Sequence, residues 1–203
     1  MAKKVNAHSI LFLYEGDTEG EFYNKFFDIN IPSRSIRISR ANLHGVYSLD
    51  MKVENKINSY LDSVKFKDCN QIHIYVAYDR EGERAKSPGL NIDSLRKKFV
   101  SKKSRIKSIN HIVATQDLES WFFHDMEGVY KYLRVPVAER RIKIHPNVDS
   151  TNNKILSALF HKYNKHYQKG KRAEGFIDSL NIDTIRDNVS ELKDFVTSVK
   201  TLL

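Results

Sequence analysis

Four short β-type segments, each followed by a helical pattern, constrain the fold of this chain more than any other feature. The clearest is Gln71 to Tyr78, a run of mostly apolar residues that is too short for a helix and ends at Asp79. Continuous apolar runs are typical of strands buried on both faces, and strands that alternate with helices form parallel sheets. The sequence therefore predicts an α/β fold, a Rossmann-like parallel sheet with helices on both faces. The other predicted strands are Ser9 to Tyr14, Ser35 to Ser39 and Ser108 to Ala114.

Helical periodicity fills the intervals between these segments. We expect the first helix to be capped by Thr18, and after Pro136 the pattern contains helices but no clear strand. This change predicts an α/β domain over residues 1–133 and a helical C-terminal extension over residues 134–203 that packs on it. The other predicted helices cover about Ser48 to Ser63, Leu95 to Val100, Asp117 to Leu133, Asn153 to Tyr167 and Thr184 to Thr201.

The charge of the chain favours a polyanionic partner. Lys and Arg number 34 against 25 Asp and Glu, and the resulting net charge of +9 would attract nucleic acid. The single cysteine, Cys69, excludes an internal disulfide and argues against thiolate zinc or iron–sulfur sites. No segment approaches the roughly 20 apolar residues of a membrane span, and none resembles a secretion signal. We therefore expect a soluble, cytoplasmic protein that binds no membrane.

Acidic residues collect directly after the predicted strands. Because the carboxyl ends of parallel strands meet at one edge of a sheet, we expect these side chains to converge there. Carboxylates at close range raise each other's pKa or bind a cation, and Mg²⁺ and Mn²⁺ prefer oxygen ligands and bridge to phosphate. The sequence therefore predicts a metal site that binds a phosphodiester. The acids are Glu15 and Asp17 after the first strand, Asp79, Glu81 and Glu83 after the third, and Asp117 and Glu119 after the fourth.

Two segments resemble motifs of the Toprim superfamily. Phe12–Glu19 (FLYEGDTE) resembles the first motif, a strand followed by a Glu-Gly turn, and Tyr75–Glu81 (YVAYDRE) resembles the second, an acidic pair after an apolar strand. Together with the block Gln116–Asp125 and the segment Lys169–Arg186, they make nearly the whole chain similar to small stand-alone Toprim proteins. The resemblance is to members related to the RloB and OLD groups, which are often associated with bacterial defence against phage.

The second motif departs from the usual pattern. Most Toprim proteins carry Asp-x-Asp, whereas the matching pair here is Asp79-x-Glu81. The sequence from Asp79 to Glu83 also resembles a segment of type IA topoisomerases, whose preceding metal-binding Asp would fall on Ala77. The register of the metal pair therefore stays open. The chain is too short to contain the tyrosine-bearing domains of a topoisomerase, so strand passage is not implied.

The resemblance implies Mg²⁺-dependent (or Mn²⁺-dependent) hydrolysis of RNA or DNA phosphodiester bonds. Asp79 and Glu81 would hold the metal, and Glu15 would be a further ligand or the general base, so these three are the catalytic candidates. The full set of metal-ligand candidates is Glu15, Asp79, Glu81, Glu83, Asp117 and Glu119. The nucleic-acid-binding candidates are Arg40, Arg80, Arg84, Lys86, Lys97, Lys98, Lys102, Lys103, Lys169, Lys171 and Arg172.

Alternatives remain for single residues and for the function. Glu119 is predicted in the first turn of a helix, where the helix dipole alone favours an acid. Tyr163 and Tyr167 lie four residues apart on a basic helix, and we expect them to pack inward rather than stack on bases. The alternative function is a non-catalytic nucleic-acid-binding or regulatory subunit. It would act with a separately encoded ATPase, since the sequence has no Gly-x₄-Gly-Lys-Ser/Thr loop, and either form could be a homo-oligomer.

Overall fold

A four-stranded, all-parallel sheet forms the centre of the protein. The computed structural model describes residues 8–31, 36–45, 47–63, 69–80, 90–102, 104–169 and 175–203. The strands are β1 (His8–Tyr14), β2 (Arg37–Asn42), β3 (Gln71–Asp79) and β4 (Ile106–Ala114). Their order across the sheet is β2-β1-β3-β4. The parallel α/β sheet expected from the sequence is thus confirmed.

Helices connect the strands and continue after the last one. They are α1 (Asp17–Asn30), α2 (Leu49–Asp62), α3 (Ile92–Phe99), α4 (Leu118–Phe122), α5 (Met126–Leu133), α6 (Asn153–Lys162), α7 (Phe176–Ser179), α8 (Ile182–Asn188) and α9 (Ser190–Lys200). Two short 3₁₀ turns cover Val137–Glu139 and Val148–Ser150. Among the described helices, none combines the length and the apolar character needed to cross a lipid bilayer.

The sheet carries a helical layer on each face. Successive side chains of a strand point to opposite faces, so Phe12 of β1 packs into a core with α1 and α9 while Leu11 packs into one with α2 and α3. Phe12 meets the ring of Phe195 from α9 at 5.6 Å between centroids, and Tyr75 of β3 meets it at 4.7 Å. The helices that follow residue 134 therefore share one core with β1, β3 and α1.

Two expectations for the helices near the sheet edge are wrong. The predicted helix from Asp117 to Leu133 is interrupted after Phe122, because Asp125 accepts a hydrogen bond from the Gly128 backbone N–H (3.2 Å) and caps a new helix, α5. Thr18 does not cap α1. The capping position is Gly16, and Thr18 lies buried inside the first turn.

The C-terminal helices are shorter than the periodicity predicted. Helix α6 ends at Lys162, so Tyr163 to Lys169 runs in an irregular path that carries Tyr167 into the interior. The predicted helix Thr184 to Thr201 is two helices, α8 and α9, which meet at Val189. The described residues after Pro136 contain no strand, in agreement with the sequence pattern.

Candidate metal centre

The carboxyl ends of β1 and β3 bring two of the predicted acids together. These strands are neighbours in register, with Tyr14 beside Ala77, so Glu15 and Asp79 follow at the same edge of the sheet. Helix α1 starts directly after Gly16 and places Glu19 in its first turn, facing the same point. One carboxylate oxygen from each of Glu15, Glu19 and Asp79 lies within 4.8 Å of the other two. These three residues are called the acid cluster below.

Backbone and side-chain groups fix Asp79 in the acid cluster. Its Oδ1 accepts a hydrogen bond from the backbone N–H of Leu118 (3.0 Å), the first residue of α4. Its Oδ2 lies 2.9 Å from Nζ of Lys169. The backbone N–H of Asp79 donates to Oε2 of Glu15 (3.3 Å). The orientation of the Asp79 carboxylate is therefore set by two separate parts of the chain, and the backbone of Asp79 in turn helps to position Glu15.

Glu119 adds a fully buried carboxylate whose charge acts on the acid cluster. Its side chain is fully buried, and Oε1 accepts a hydrogen bond from the hydroxyl of Tyr167 (2.5 Å). Its second oxygen, Oε2, has no hydrogen-bond partner among the described residues, and the same is true of Oε2 of Glu19, which is also buried. Buried polar atoms in native proteins are almost always paired, so two unpaired carboxylate oxygens in one place indicate a missing cation or water.

The electrostatics of the site reflect this arrangement. Burial raises the pKa of Glu19 to about 7, and the charge of Glu119 adds to the effect. Burial also raises the pKa of Glu119 to about 7, with the charge of Asp117 as the next cause. For Asp79 burial raises the pKa well above its usual range, and the ammonium of Lys169 opposes it. The site is thus short of positive charge, and a divalent cation would supply it.

The residues present fit a hard divalent metal. Three carboxylates offer oxygen ligands at one point, and Glu19, one of the three, has an oxygen without a hydrogen-bond partner among the described residues. Mg²⁺ and Mn²⁺ prefer such oxygen ligands and keep several waters. Glu15, Glu19 and Asp79 could hold the ion, and the charge of Glu119 acts on two of them, Glu19 and Asp79.

A cavity of about 430 Å³ opens over the acid cluster on the side of β2. Its walls come from the turn after β1, the loop after β2 and the side chain of Lys169. The loop after β2 is held in place, since the backbone N–H of Gly45 donates to the carbonyl of Glu15 (2.9 Å) and Lys52 Nζ donates to the carbonyl of His44 (2.8 Å). The lining residues are Glu15, Gly16, Asp17, Glu19, Asn42, His44, Gly45 and Lys169.

Asp117 lies near the site but serves another purpose. Its Oδ1 accepts the backbone N–H of Ser120 (3.1 Å), and its Oδ2 accepts the backbone N–H (2.8 Å) and the side-chain amide (2.7 Å) of Asn153. Both oxygens are therefore engaged in capping α4 and in joining it to α6. We leave Asp117 out of the candidate centre for this reason.

Several predicted site residues lie outside the described residues. They are Glu81, Glu83, Arg84, Lys86, Lys103, Lys171 and Arg172. Of the acidic pair Asp79-x-Glu81, the structure therefore describes only Asp79.

The described basic candidates divide between two edges of the sheet. Lys169 belongs to the acid cluster's cavity, whereas Lys97 and Lys98 lie in the last turn of α3, which returns the chain to the amino-terminal edge where β4 begins. Lys98 there pairs with Glu54 (2.6 Å), and Lys102 lies in the connection between α3 and β4. These three lysines are not brought to the acids.

The two arginines next to the sheet also have local partners. Arg40 of β2 hydrogen-bonds to the side chain of Asn24 and lies over the ring of Phe27, 5.2 Å from its centroid. Arg80 follows β3 and borders a separate cavity of about 450 Å³ between β4 and α9. Although Arg80 is next to Asp79 in sequence, it borders this second cavity and not the cavity over the acid cluster.

Two site residues were missed by the sequence reasoning. Glu19 is part of the first Toprim-like motif, but its place in the first turn of α1 is equally explained by the helix dipole. The four-residue spacing from Glu15 across the strand–helix turn is the signal that would have found it. Tyr167 was predicted to pack inward, and it does, but no local pattern indicates that its hydroxyl reaches Glu119.

Fold and site together define an α/β protein with buried carboxylates at the carboxyl edge of a parallel sheet. The chain belongs to the family described as Domain of unknown function (DUF4276), whose model matches residues 14–200. No curated protein and no solved structure matches the chain.

Proposed function

We propose that this protein is a Mg²⁺- or Mn²⁺-dependent nuclease of the Toprim type that hydrolyses phosphodiester bonds of RNA or DNA in the cytoplasm. The observation that carries the proposal is the pair of buried, partnerless carboxylate oxygens on Glu19 and Glu119, next to the ligand oxygens of Glu15 and Asp79. Burying carboxylates without partners costs stability, and a cation at the site would offset this cost.

The metal would be held by Glu15, Glu19 and Asp79, with Glu119 beside them. When bound, a divalent metal lowers the pKa of its water and neutralises charge that develops on phosphoryl oxygens. The residues of the chain would position the phosphodiester and transfer a proton. Glu15 is only half-buried and faces the cavity, so its carboxylate accepts the proton from the attacking water.

Positive side chains around the cavity would bind the phosphates of the substrate. Lys169 lines the cavity directly, and Lys171 and Arg172 follow it in sequence. The net charge of +9 supports attraction of a polyanion over longer distances. By resemblance to small Toprim proteins, the biological setting is bacterial defence against phage, with a separately encoded ATPase and a second copy of the chain as further partners.

The first test is cleavage of labelled RNA and DNA pools by the purified protein in Mg²⁺, in Mn²⁺ and in EDTA. We expect metal-dependent cleavage that falls at least about a hundredfold in Asp79→Asn, a variant that keeps the oxygen accepting from Leu118. Asp28→Asn is the matched control, because Asp28 is an exposed acid on α1 outside the acid cluster. It should cleave as the wild type does.

Two results would count against the nuclease. Equal cleavage by Asp79→Asn and the wild type would remove the acid cluster from the reaction. Binding of nucleic acid without cleavage in either metal would instead favour the non-catalytic, partner-dependent subunit. The affinity of such a subunit would fall with salt and would not depend on Asp79.

A further inference from the structure

We propose that Lys169 is a resident counter-cation that competes with the divalent metal for Asp79, so that this lysine sets the metal affinity of the site. The inference rests on the proposed function, since it concerns the same carboxylates. It adds a residue from the C-terminal part of the chain to a centre otherwise built from β1, α1, β3 and α4.

The two oxygens of Asp79 have different partners. Oδ1 is bound by the backbone N–H of Leu118, which is part of α4 and cannot turn away without unwinding the helix. Oδ2 is the oxygen that contacts Nζ of Lys169 at 2.9 Å. A metal that binds Asp79 through Oδ2 would compete with the ammonium of Lys169 for this oxygen.

The charges around this oxygen suit one cation better than two. The positive charge of Lys169 opposes the rise in the pKa of Asp79, Glu19 and Glu119 that burial causes, so the ammonium already compensates part of the acidic charge. A divalent ion at the acid cluster would supply this compensation and would repel the ammonium at short range. Metal binding and the Lys169–Asp79 ion pair therefore oppose each other.

Lys169 has room to leave while its backbone stays in place. The Asp79 side chain is 2% exposed, but that of Lys169 is 25% exposed and lines the 430 Å³ cavity. Tyr167, two residues earlier in the chain, is fixed by two hydrogen bonds. Its hydroxyl donates to Glu119 Oε1 (2.5 Å), and its carbonyl accepts from Ser157 Oγ (3.2 Å). Rotation of the lysine's flexible stem is enough to move the ammonium from Asp79 into the cavity.

The test is the affinity for Mn²⁺ alone, measured by calorimetry on the wild type, Lys169→Met and Lys169→Gln. We expect both variants to bind Mn²⁺ about tenfold more tightly than the wild type, because the competing charge is gone. Lys165→Met is the matched control. It removes the same charge from the same irregular segment, but the Lys165 ammonium lies over the ring of Tyr132, 3.7 Å from its centroid, and its loss should leave the affinity unchanged.

A second readout uses thermal unfolding with EDTA and with Mn²⁺. The rise in Tm caused by the metal should be larger for Lys169→Gln than for the wild type, since at a fixed Mn²⁺ concentration a tighter-binding ligand stabilises the folded state more. Unchanged or weaker Mn²⁺ binding by both Lys169 variants, while the wild type binds, would overturn the competition and leave the metal centre standing. Absence of Mn²⁺ binding in the wild type and in all variants would overturn the metal centre as well.

Discussion

Four buried carboxylates of this protein, apart from Asp79, fall into two groups that differ in how their oxygens are paired. Asp117 and Asp125 each use both oxygens to accept hydrogen bonds, from Ser120 and Asn153 and from Gly128 and Asn181 respectively. Glu19 and Glu119 are also buried, and each has one oxygen with no partner in the part of the chain that the structure describes. The pKa of each is raised to about 7, chiefly by burial.

The difference separates structural acids from candidate functional ones. A buried carboxylate that accepts backbone N–H groups at a helix start gains charge-assisted hydrogen bonds and the favourable helix dipole. A buried carboxylate with an empty oxygen loses hydration without such a gain. The first group should stabilise the metal-free fold, and the second should weaken it in return for a place to bind a cation.

The largest expected effect on stability is from a structural acid. Asp125→Ala leaves the backbone N–H groups of Gly128 and Asn181 unpaired, and it should lower the free energy of unfolding by about 2–4 kcal/mol. Urea denaturation measures this, with the exposed Asp28→Ala as control. Mn²⁺ affinity of the folded variant should not change. A loss below about 0.5 kcal/mol would show that full pairing does not mark a structural acid.

Glu19→Gln should raise the free energy of unfolding, whereas Asp125→Ala should lower it. In the folded protein the pKa of Glu19 is about 7 against 4.5 in a free side chain, so the folded state holds its proton over a range in which the unfolded chain has released it. The cost of this group is absent below about pH 4.5, grows as the pH rises and is complete above about pH 7.

Glu19→Gln removes that cost together with a metal ligand. We expect the metal-free variant to be more stable than the wild type by about 1–3 kcal/mol at pH 8, with the difference nearly gone at pH 4.5. Urea denaturation in EDTA at the two pH values measures it, and Glu139→Gln, at an exposed site, should show neither effect. A variant that is less stable than the wild type at pH 8 would place Glu19 among the structural acids.

Much of the sheet was predictable because its signals are local. The apolar runs that end at acidic residues predict β1 and β3. Because the carboxyl ends of parallel strands lie at one edge of the sheet, the sequence also predicts that Glu15 and Asp79 lie close together. The helix boundaries are harder to predict from the sequence. The pattern from Asp117 to Leu133 is continuous in period, and only the side chain of Asp125, capping α5, divides it.

The site's other members depend on contacts over long sequence distances. Lys169 reaches Asp79 and Tyr167 reaches Glu119 through a segment that the periodicity assigned to a helix, and the helix in fact ends at Lys162. A basic residue in a charged run looks the same in sequence whether it faces solvent, as Lys97 does on α3, or an acid. Only the packing of the C-terminal helices on the shared core separates these cases.

The smallest effect concerns Glu119, which belongs partly to each group because one of its oxygens is paired and the other is not. Tyr167→Phe removes the hydroxyl that donates to Oε1 and keeps the ring that packs on Phe160 at 5.1 Å. We expect a loss of about 1 kcal/mol in the free energy of unfolding at pH 8, where Glu119 is ionised, and a smaller loss at pH 5, where it is protonated. Urea denaturation in EDTA at both pH values measures this, with the half-buried Tyr163→Phe as control. An equal loss at both pH values would mean that the hydroxyl serves packing alone, whereas a loss confined to high pH would identify Tyr167 as the donor that keeps Glu119 charged beside the acid cluster.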